Sequence, residues 1–195
     1  MNNRYKVIII CGKSGAGKDF YTRMLRKKYR NDFYFPTPWT TRPQRKNEKW
    51  GREYCFVSKS RFKQETFLDE TKFNNWHYGT PIEYLWKSRP NIIIGNPKGI
   101  QQMLKYSSID FTVVEIYADD TIRLARQLKR QGEEDILEIQ RRLKADDEDF
   151  EELHDWLSTN DRIWYKRIYN NDITKSERTL KELYDYISFW ADYNK

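Results

Sequence analysis

Residues 7–25 read VIIICGKSGAGKDFYTRML, and the order of residue types in this stretch decides the fold. Val7 to Ile10 form a run of β-branched and apolar residues, the composition of a strand buried on both faces. Gly12, Gly15 and Gly17 follow directly, and then Phe20, Met24 and Leu25 fall on one face of a helix. Strand, glycine turn and helix in that order match the pattern Gly, four residues, Gly-Lys, which marks a phosphate-binding loop. The backbone of Gly12, Lys13, Ser14, Gly15, Ala16 and Gly17 would turn its N–H groups around the phosphates of ATP. The helix adds its positive end, and Lys18 reaches the β- and γ-phosphates. A glycine turn that merely closes a βα unit is the plainer alternative, and the strand and helix on either side argue against it.

The pattern normally continues with a hydroxyl residue that ligates Mg²⁺; here Asp19 stands in its place. A carboxylate is also a hard oxygen donor suited to Mg²⁺, which makes Asp19 a candidate metal ligand. Equally, Asp19 is an acid in the first turn of a helix, where the dipole favours negative charge.

Beyond the loop, NIIIG (91–95) and FTVVEIY (111–117) read as further buried strands, and IWYKRIYNND (163–172) as a strand followed by a turn. Thr121 to Leu157 has a densely charged helical pattern, and Ser176 to Asp192 a closing helix. Residues 36–58 are rich in Pro, Arg and turn formers, a loop-rich excursion with short strands such as YCFV (54–57). Alternating strands and helices predict an α/β fold: a parallel sheet of the P-loop NTPase type flanked by helices.

The chain of 195 residues suffices for one such domain, with 38% hydrophobic and 33% charged residues. It contains no apolar stretch long enough to span a bilayer, and its N-terminus has no cleavable signal pattern. Two cysteines, Cys11 and Cys55, make neither a disulfide framework nor a metal site, which points to a reducing, cytoplasmic setting. The net charge of +7 is uneven: residues 1–60 hold 15 Lys/Arg against 4 Asp/Glu, a balance of +11 that leaves −4 for the rest. Such a basic half is either a nucleic-acid-tolerant surface or a basin for small polyanions such as nucleotides. No nucleic-acid recognition motif accompanies it.

A second constellation follows the loop. PWTTRPQRKNEKWGREYCFVS (38–58) carries Thr40, Thr41, Arg42, Arg45, Gly51, Tyr54, Phe56, Val57 and Ser58, and FLDETKFNNWHYGTP (67–81) carries Tyr78, Gly79 and Thr80. In order and spacing these residues resemble the guanylate kinase family, and the resemblance extends to IYNND near residue 170. Holding a monophosphate in line with a donor takes cations and hydroxyls, and Arg42, Arg45, Tyr54 and Tyr78 are of those types. Singly, each is read as readily as a surface arginine or a packing tyrosine; the joint spacing is what carries the assignment.

The resemblance implies a core of about residues 1–35, 90–125 and 160–195, a small acceptor-binding insertion of about 36–89 and a helical lid of about 126–158. It places Asn170 beside the adenine and Arg142 on the lid. The family's two upstream lid arginines fall on Gln127 and Gln131 when Gly132 is aligned, with Arg126 and Arg130 one position earlier. Arg130 and Arg142 are the preferred lid candidates, since Arg126 reads equally as part of a solvated basic face. The family reads guanine with a serine, a glutamate and an aspartate, which here become Pro38, Asp69 (next to Glu70) and Asn96. A further family aspartate near the metal becomes Ile94. Asn96 carries both a donor and an acceptor, so this edge of the pocket differs from a pair of carboxylates.

The implied activity is transfer of the γ-phosphoryl group of ATP, with Mg²⁺, to a nucleoside monophosphate, GMP or dGMP first. Catalytic candidates are Lys18, Arg42, Arg130 and Arg142. Arg42, Arg45, Tyr54, Asp69, Tyr78, Thr80 and Asn96 would bind the acceptor. Two other readings stay open: an impaired binding or interaction module of the same fold, and a kinase for another phosphorylated acceptor. The partners expected are ATP and the nucleotide, with neither a membrane nor a specific nucleic acid, for a monomer or homodimer.

Overall fold

The apolar run becomes the interior of β1 (Tyr5–Cys11), whose residues Val7 to Cys11 are fully buried. The structure, a computed structural model, describes residues 4–46, 48–131, 136–160 and 163–193. β1 pairs in parallel with β6 (Asn91–Ile94) on one side and β7 (Ile109–Tyr117) on the other, and β8 (Trp164–Tyr169) extends the sheet beyond β7. The spatial order is β6–β1–β7–β8, and the three strands expected after β1 all lie in this one parallel sheet.

Alternation along each strand sends successive side chains to opposite faces. Ile8, Ile10, Val114, Ile116 and Ile168 meet Tyr21 and Leu25 of α1 (Lys18–Lys28) and Leu180, Leu183 and Trp190 of α6 (Ser176–Tyr193). Val7, Ile9, Cys11 and Val113 meet Ile100 and Met103 of α3 (Pro97–Met103) and Phe150 and Leu153 of α5 (Ile136–Ser158). Each fully buried Ile or Val contributes about 1.5–3 kcal/mol relative to exposure, so covering both faces is what makes a continuous apolar strand stable. The helical stretch expected over Thr121–Leu157 is divided between α4 (Asp120–Gln131) and α5.

A second sheet, ordered β3–β2–β5–β4, is built from β2 (Trp39–Thr40), β3 (Cys55–Phe56), β4 (Phe67–Phe73) and β5 (Trp76–Pro81), with the short α2 (Lys59–Phe62) between β3 and β4. Asn74 and Asn75 join β4 to β5 with φ of 47° and 64°, the positive pair that a two-residue hairpin turn requires and that asparagine tolerates. Trp39, Cys55 and Phe62 form this sheet's own small core. Trp39 is 3% exposed and packs edge-on against Phe67 and Tyr84.

One buried acid lies under the main sheet's helices. Glu115 on β7 is 1% exposed and accepts from Tyr165 O–H and, at 3.1 Å, from Arg167 Nε, with His154 Nε2 2.9 Å away. Both histidines therefore sit beside carboxylates, since His77 Nδ1 is 2.9 Å from Glu70.

Candidate active site

The glycine loop joins β1 to α1, and its shape follows from what surrounds it. A Cβ on Gly12 would lie 2.4 Å from the Ile116 carbonyl of β7, so only glycine lets the loop leave the sheet at that point. Gly17 caps α1 with φ of 105°, a left-handed conformation that a side chain disfavours.

The loop's carbonyls face its protein neighbours. The Ser14 carbonyl accepts from Arg123 and Gln127 (both 3.4 Å), and the Gly15 carbonyl from Arg126 (3.3 Å). The Ala16 carbonyl accepts from Asn170 Nδ2 at 2.7 Å. Among the described residues the N–H groups of Gly15, Gly17 and Lys18 have no hydrogen-bond partner. Lys18, the first residue of α1, makes no ion pair there either. The loop thus presents unspent donors and one cation, the complement of a polyphosphate.

Several expected residues take more specific positions than the sequence conveyed. Asn170 is 2% exposed, and its Oδ1 accepts from Tyr21 O–H at 2.9 Å, so its side chain ties the loop to the core from behind. Arg126 does not lie on a solvated face: besides the Gly15 carbonyl it donates to the Asn170 carbonyl at 2.8 Å. Gln127, at a family arginine position, is buried. Arg142 Nε donates to Glu138 at 2.7 Å, and together with Arg141 it holds the Glu138 carboxyl down at about 2. The side chain of Arg130 lies outside the described residues. On α5, Asp146 accepts from the Ser14 N–H and Asp147 from Lys13 Nζ, both at 2.6 Å.

The acceptor candidates gather on the second sheet. Arg42 is 8% exposed, stacked over Tyr54 at 5.1 Å and Phe56 at 5.4 Å. Tyr54 meets Tyr78 edge-on at 5.8 Å. Burial pushes the Tyr54 phenol up; Arg42 opposes this, while Tyr78, Asp19 and Glu48 add to it. The charge of Asp19, one residue past Lys18, is thus among those that act on the Tyr54 phenol, so the start of α1 lies on the side of the arginine–tyrosine cluster. Arg45 is exposed, and its backbone N–H donates to Glu48 at 2.9 Å.

Glu48 is the functional candidate that sequence reading passed over. Its two oxygens accept from Arg42 NH1 at 2.7 Å and NH2 at 2.5 Å, and those bonds hold its carboxyl at about 2. NH1 also donates to the Pro43 carbonyl at 2.9 Å, which leaves Nε and one N–H of NH2 as a free edge matched to a phosphate. The signal was present: Glu48 is the one acid between Asp32 and Glu53, three residues past Arg45 and six past Arg42.

Where a base would be read, Asp69 Oδ1 accepts from the Thr80 N–H at 3.1 Å, and burial pushes its carboxyl up. Asn96 caps α3: its Oδ1 accepts from the Gly99 N–H at 2.7 Å and its Nδ2 donates to Thr71 Oγ1 at 3.3 Å. Ile94, 40% exposed, ends β6 beside Ile10, and so offers no oxygen at a position where the family has one.

Among the described residues no three His, Cys, Asp or Glu side chains group to hold a metal ion. Mg²⁺ in phosphoryl-transfer sites is held by one or two carboxylates plus the substrate's phosphates. The exposed carboxylate of Asp19 in the first turn of α1 fits that use, next to Lys18 and the loop donors.

Comparison with known proteins gives a consistent family. A family model described as guanylate kinase matches residues 4–187. A guanylate kinase of Chlamydia caviae is 31% identical over 188 residues, 92% of this chain and 87% of the relative. One from Latilactobacillus sakei is 28% identical over 173 residues, 84% of this chain and 85% of the relative. Among solved structures, the guanylate kinase of Anaplasma phagocytophilum matches with a TM-score of 0.62 at 15% identity, over 95% of this chain and 86% of that one. At that identity the likeness speaks to the fold.

Proposed function

The chain belongs to the guanylate kinase family and is a nucleoside monophosphate kinase; we propose that it phosphorylates GMP and dGMP from ATP. The observation that carries this reading is a pair of regions with donors to spare. A loop with unspent N–H donors and a Lys18 without an ion pair is one, and a buried arginine that keeps one donor edge open is the other.

In this reading Lys18 and the loop N–H groups hold the β- and γ-phosphates. Arg42, Arg45, Tyr54 and Tyr78 hold the acceptor phosphate so that one of its oxygens lies in line with the γ-phosphorus. That oxygen forms the new P–O bond as the bond to the β–γ bridging oxygen breaks, and ADP leaves with the electron pair. Fixing both reactants supplies the entropic part of the acceleration. Arg142 leaves Glu138 and, with Arg130, neutralises the charge that spreads over the transferring group. Mg²⁺, when bound through Asp19 and the phosphates, supplies further neutralisation of that charge. Asp69, Thr80 and Asn96 line the base side, where Asn96 Nδ2 is a donor suited to a 6-oxo group.

The two cysteines are buried and free, in keeping with a cytoplasmic setting. Among the described residues no helix is long and apolar enough to cross a membrane.

The test is ADP release from MgATP in the presence of each common ribo- and deoxynucleoside monophosphate in turn. Release that depends on GMP or dGMP is expected. Nucleotide binding without acceptor-dependent release would favour an interaction module, and release with a different phosphorylated acceptor alone would overturn the guanine assignment.

A further inference from the structure

The phosphate loop is gripped at its crest by charges that the transfer itself does not need. Ser14 is held at both ends of its peptide: its N–H donates to Asp146 of α5 at 2.6 Å, and its carbonyl accepts from Arg123 of α4 at 3.4 Å. Arg123 is 1% exposed and joins the two helices, with NH1 3.6 Å from Asp146 and NH2 3.5 Å from Asp147 and 2.8 Å from Asp120. Asp147 in turn accepts from Lys13. An N–H bond to a carboxylate is stronger than a neutral one. Of the three carboxylates around the buried guanidinium, Asp146 is the least exposed, so its pair with Arg123 is the least screened by solvent.

Arg142 lies four residues before Asp146, so the two share a face of α5. Along the helix axis they are about 6 Å apart, a span that an extended arginine side chain covers. In this structure Arg142 is turned the other way, to Glu138. Arg141 beside it lies over Phe73 of the β4–β5 hairpin at 5.9 Å, so this turn of α5 bridges the acceptor sheet and the loop.

We propose that Asp146 is a positioning residue: by docking α5 on the Ser14 N–H it fixes where Arg142 meets the transferring phosphoryl group. Arg123 and Asp147 hold the dock in register. The contact is made at the crest, and it leaves the inner donors (the N–H groups of Gly15, Gly17 and Lys18) and the Lys18 ammonium without a partner among the described residues. The aspartate therefore takes one N–H expected around the phosphates, that of Ser14, and leaves the inner three to the donor. The proposal rests on the reading of the loop as the ATP site and of Arg142 as a lid arginine.

The experiment is a double-mutant cycle, D146A, R142A and D146A/R142A, with D146N alongside. It reads kcat, the Kd for ATP and hydrogen exchange of the Ser14 amide. D146A is expected to lower kcat about tenfold while the Kd for ATP stays within twofold, and to lose Ser14 amide protection. D146N, whose amide oxygen still accepts, is expected within threefold of the parent in kcat and in Kd and to keep Ser14 amide protection, and this variant keeps the test alive should D146A fold poorly. In the R142A background D146A should change kcat less than twofold. Effects that multiply across the cycle, or ATP binding more than threefold tighter in D146N with unchanged kcat, would overturn the proposal. The second result would mean that the carboxylate competes with the donor phosphates. Turnover by the parent protein and its loss in R142A separately test the reading beneath, so the two failures are told apart.

Discussion

The two regions proposed to bind phosphate are built on opposite principles. The donor loop works with backbone: its geometry is set by glycines, its carbonyls are tied down by Arg123, Arg126, Gln127 and Asn170, and its inner N–H groups are left over. It grows directly out of a sheet buried on both faces. The acceptor cluster works with side chains: Arg42, Tyr54 and Tyr78 stand on a small sheet whose core is three fully buried residues, and Glu48 orients the arginine. A backbone site tolerates no added atom, whatever its charge. The side-chain site depends on charge instead.

That contrast can be challenged by substitution. Gly12→Ala would place a methyl 2.4 Å from the Ile116 carbonyl, forcing the loop off the sheet. A displacement of that size is expected to lower kcat/KM for ATP by about a hundredfold, with GMP binding unchanged by calorimetry. Glu48→Gln removes charge but little volume; the KM for GMP should rise about tenfold while the KM for ATP does not move. Equal effects on both substrates from either variant would mean that the regions are not separately built.

The smallest effect concerns acid. Glu48 titrates at about 2 in the fold against an ordinary 4.5. A carboxyl lowered on folding contributes stability that is complete above its unfolded value, and that is lost as pH falls from about 4.5 toward 2. Thermal melts of the parent should therefore lose more stability than those of Glu48→Gln over that window. Parallel curves would show that the Arg42–Glu48 pair is not what holds the guanidinium.

The same division explains what was legible in the sequence. The core strands and the loop announce themselves, because a strand buried on both faces must be apolar throughout and a loop of this shape must be glycine at fixed points. The hairpin of β4 and β5 went unread as strands. FLDETKF is half solvated and largely polar, so its alternation is weak, and the Asn74–Asn75 turn was the one strong local signal. Arg42, Tyr54 and Tyr78 were picked out by joint spacing and lie together in the structure, while Glu48 was missed because a lone acid gives no period to follow. The use of Asn96 as a helix cap was written in the sequence and passed over: asparagine directly before Pro97 is a common helix start.

The most direct measurement is calorimetric binding of ATP and of GMP to Lys18→Ala and Arg42→Ala, each compared with the parent protein. The expected result is crossed: Lys18→Ala loses at least tenfold in affinity for ATP and keeps GMP, and Arg42→Ala loses at least tenfold for GMP and keeps ATP. If each substitution weakens both ligands alike, or if the parent binds neither, the assignment of a backbone-built donor site and a side-chain-built acceptor site is contradicted.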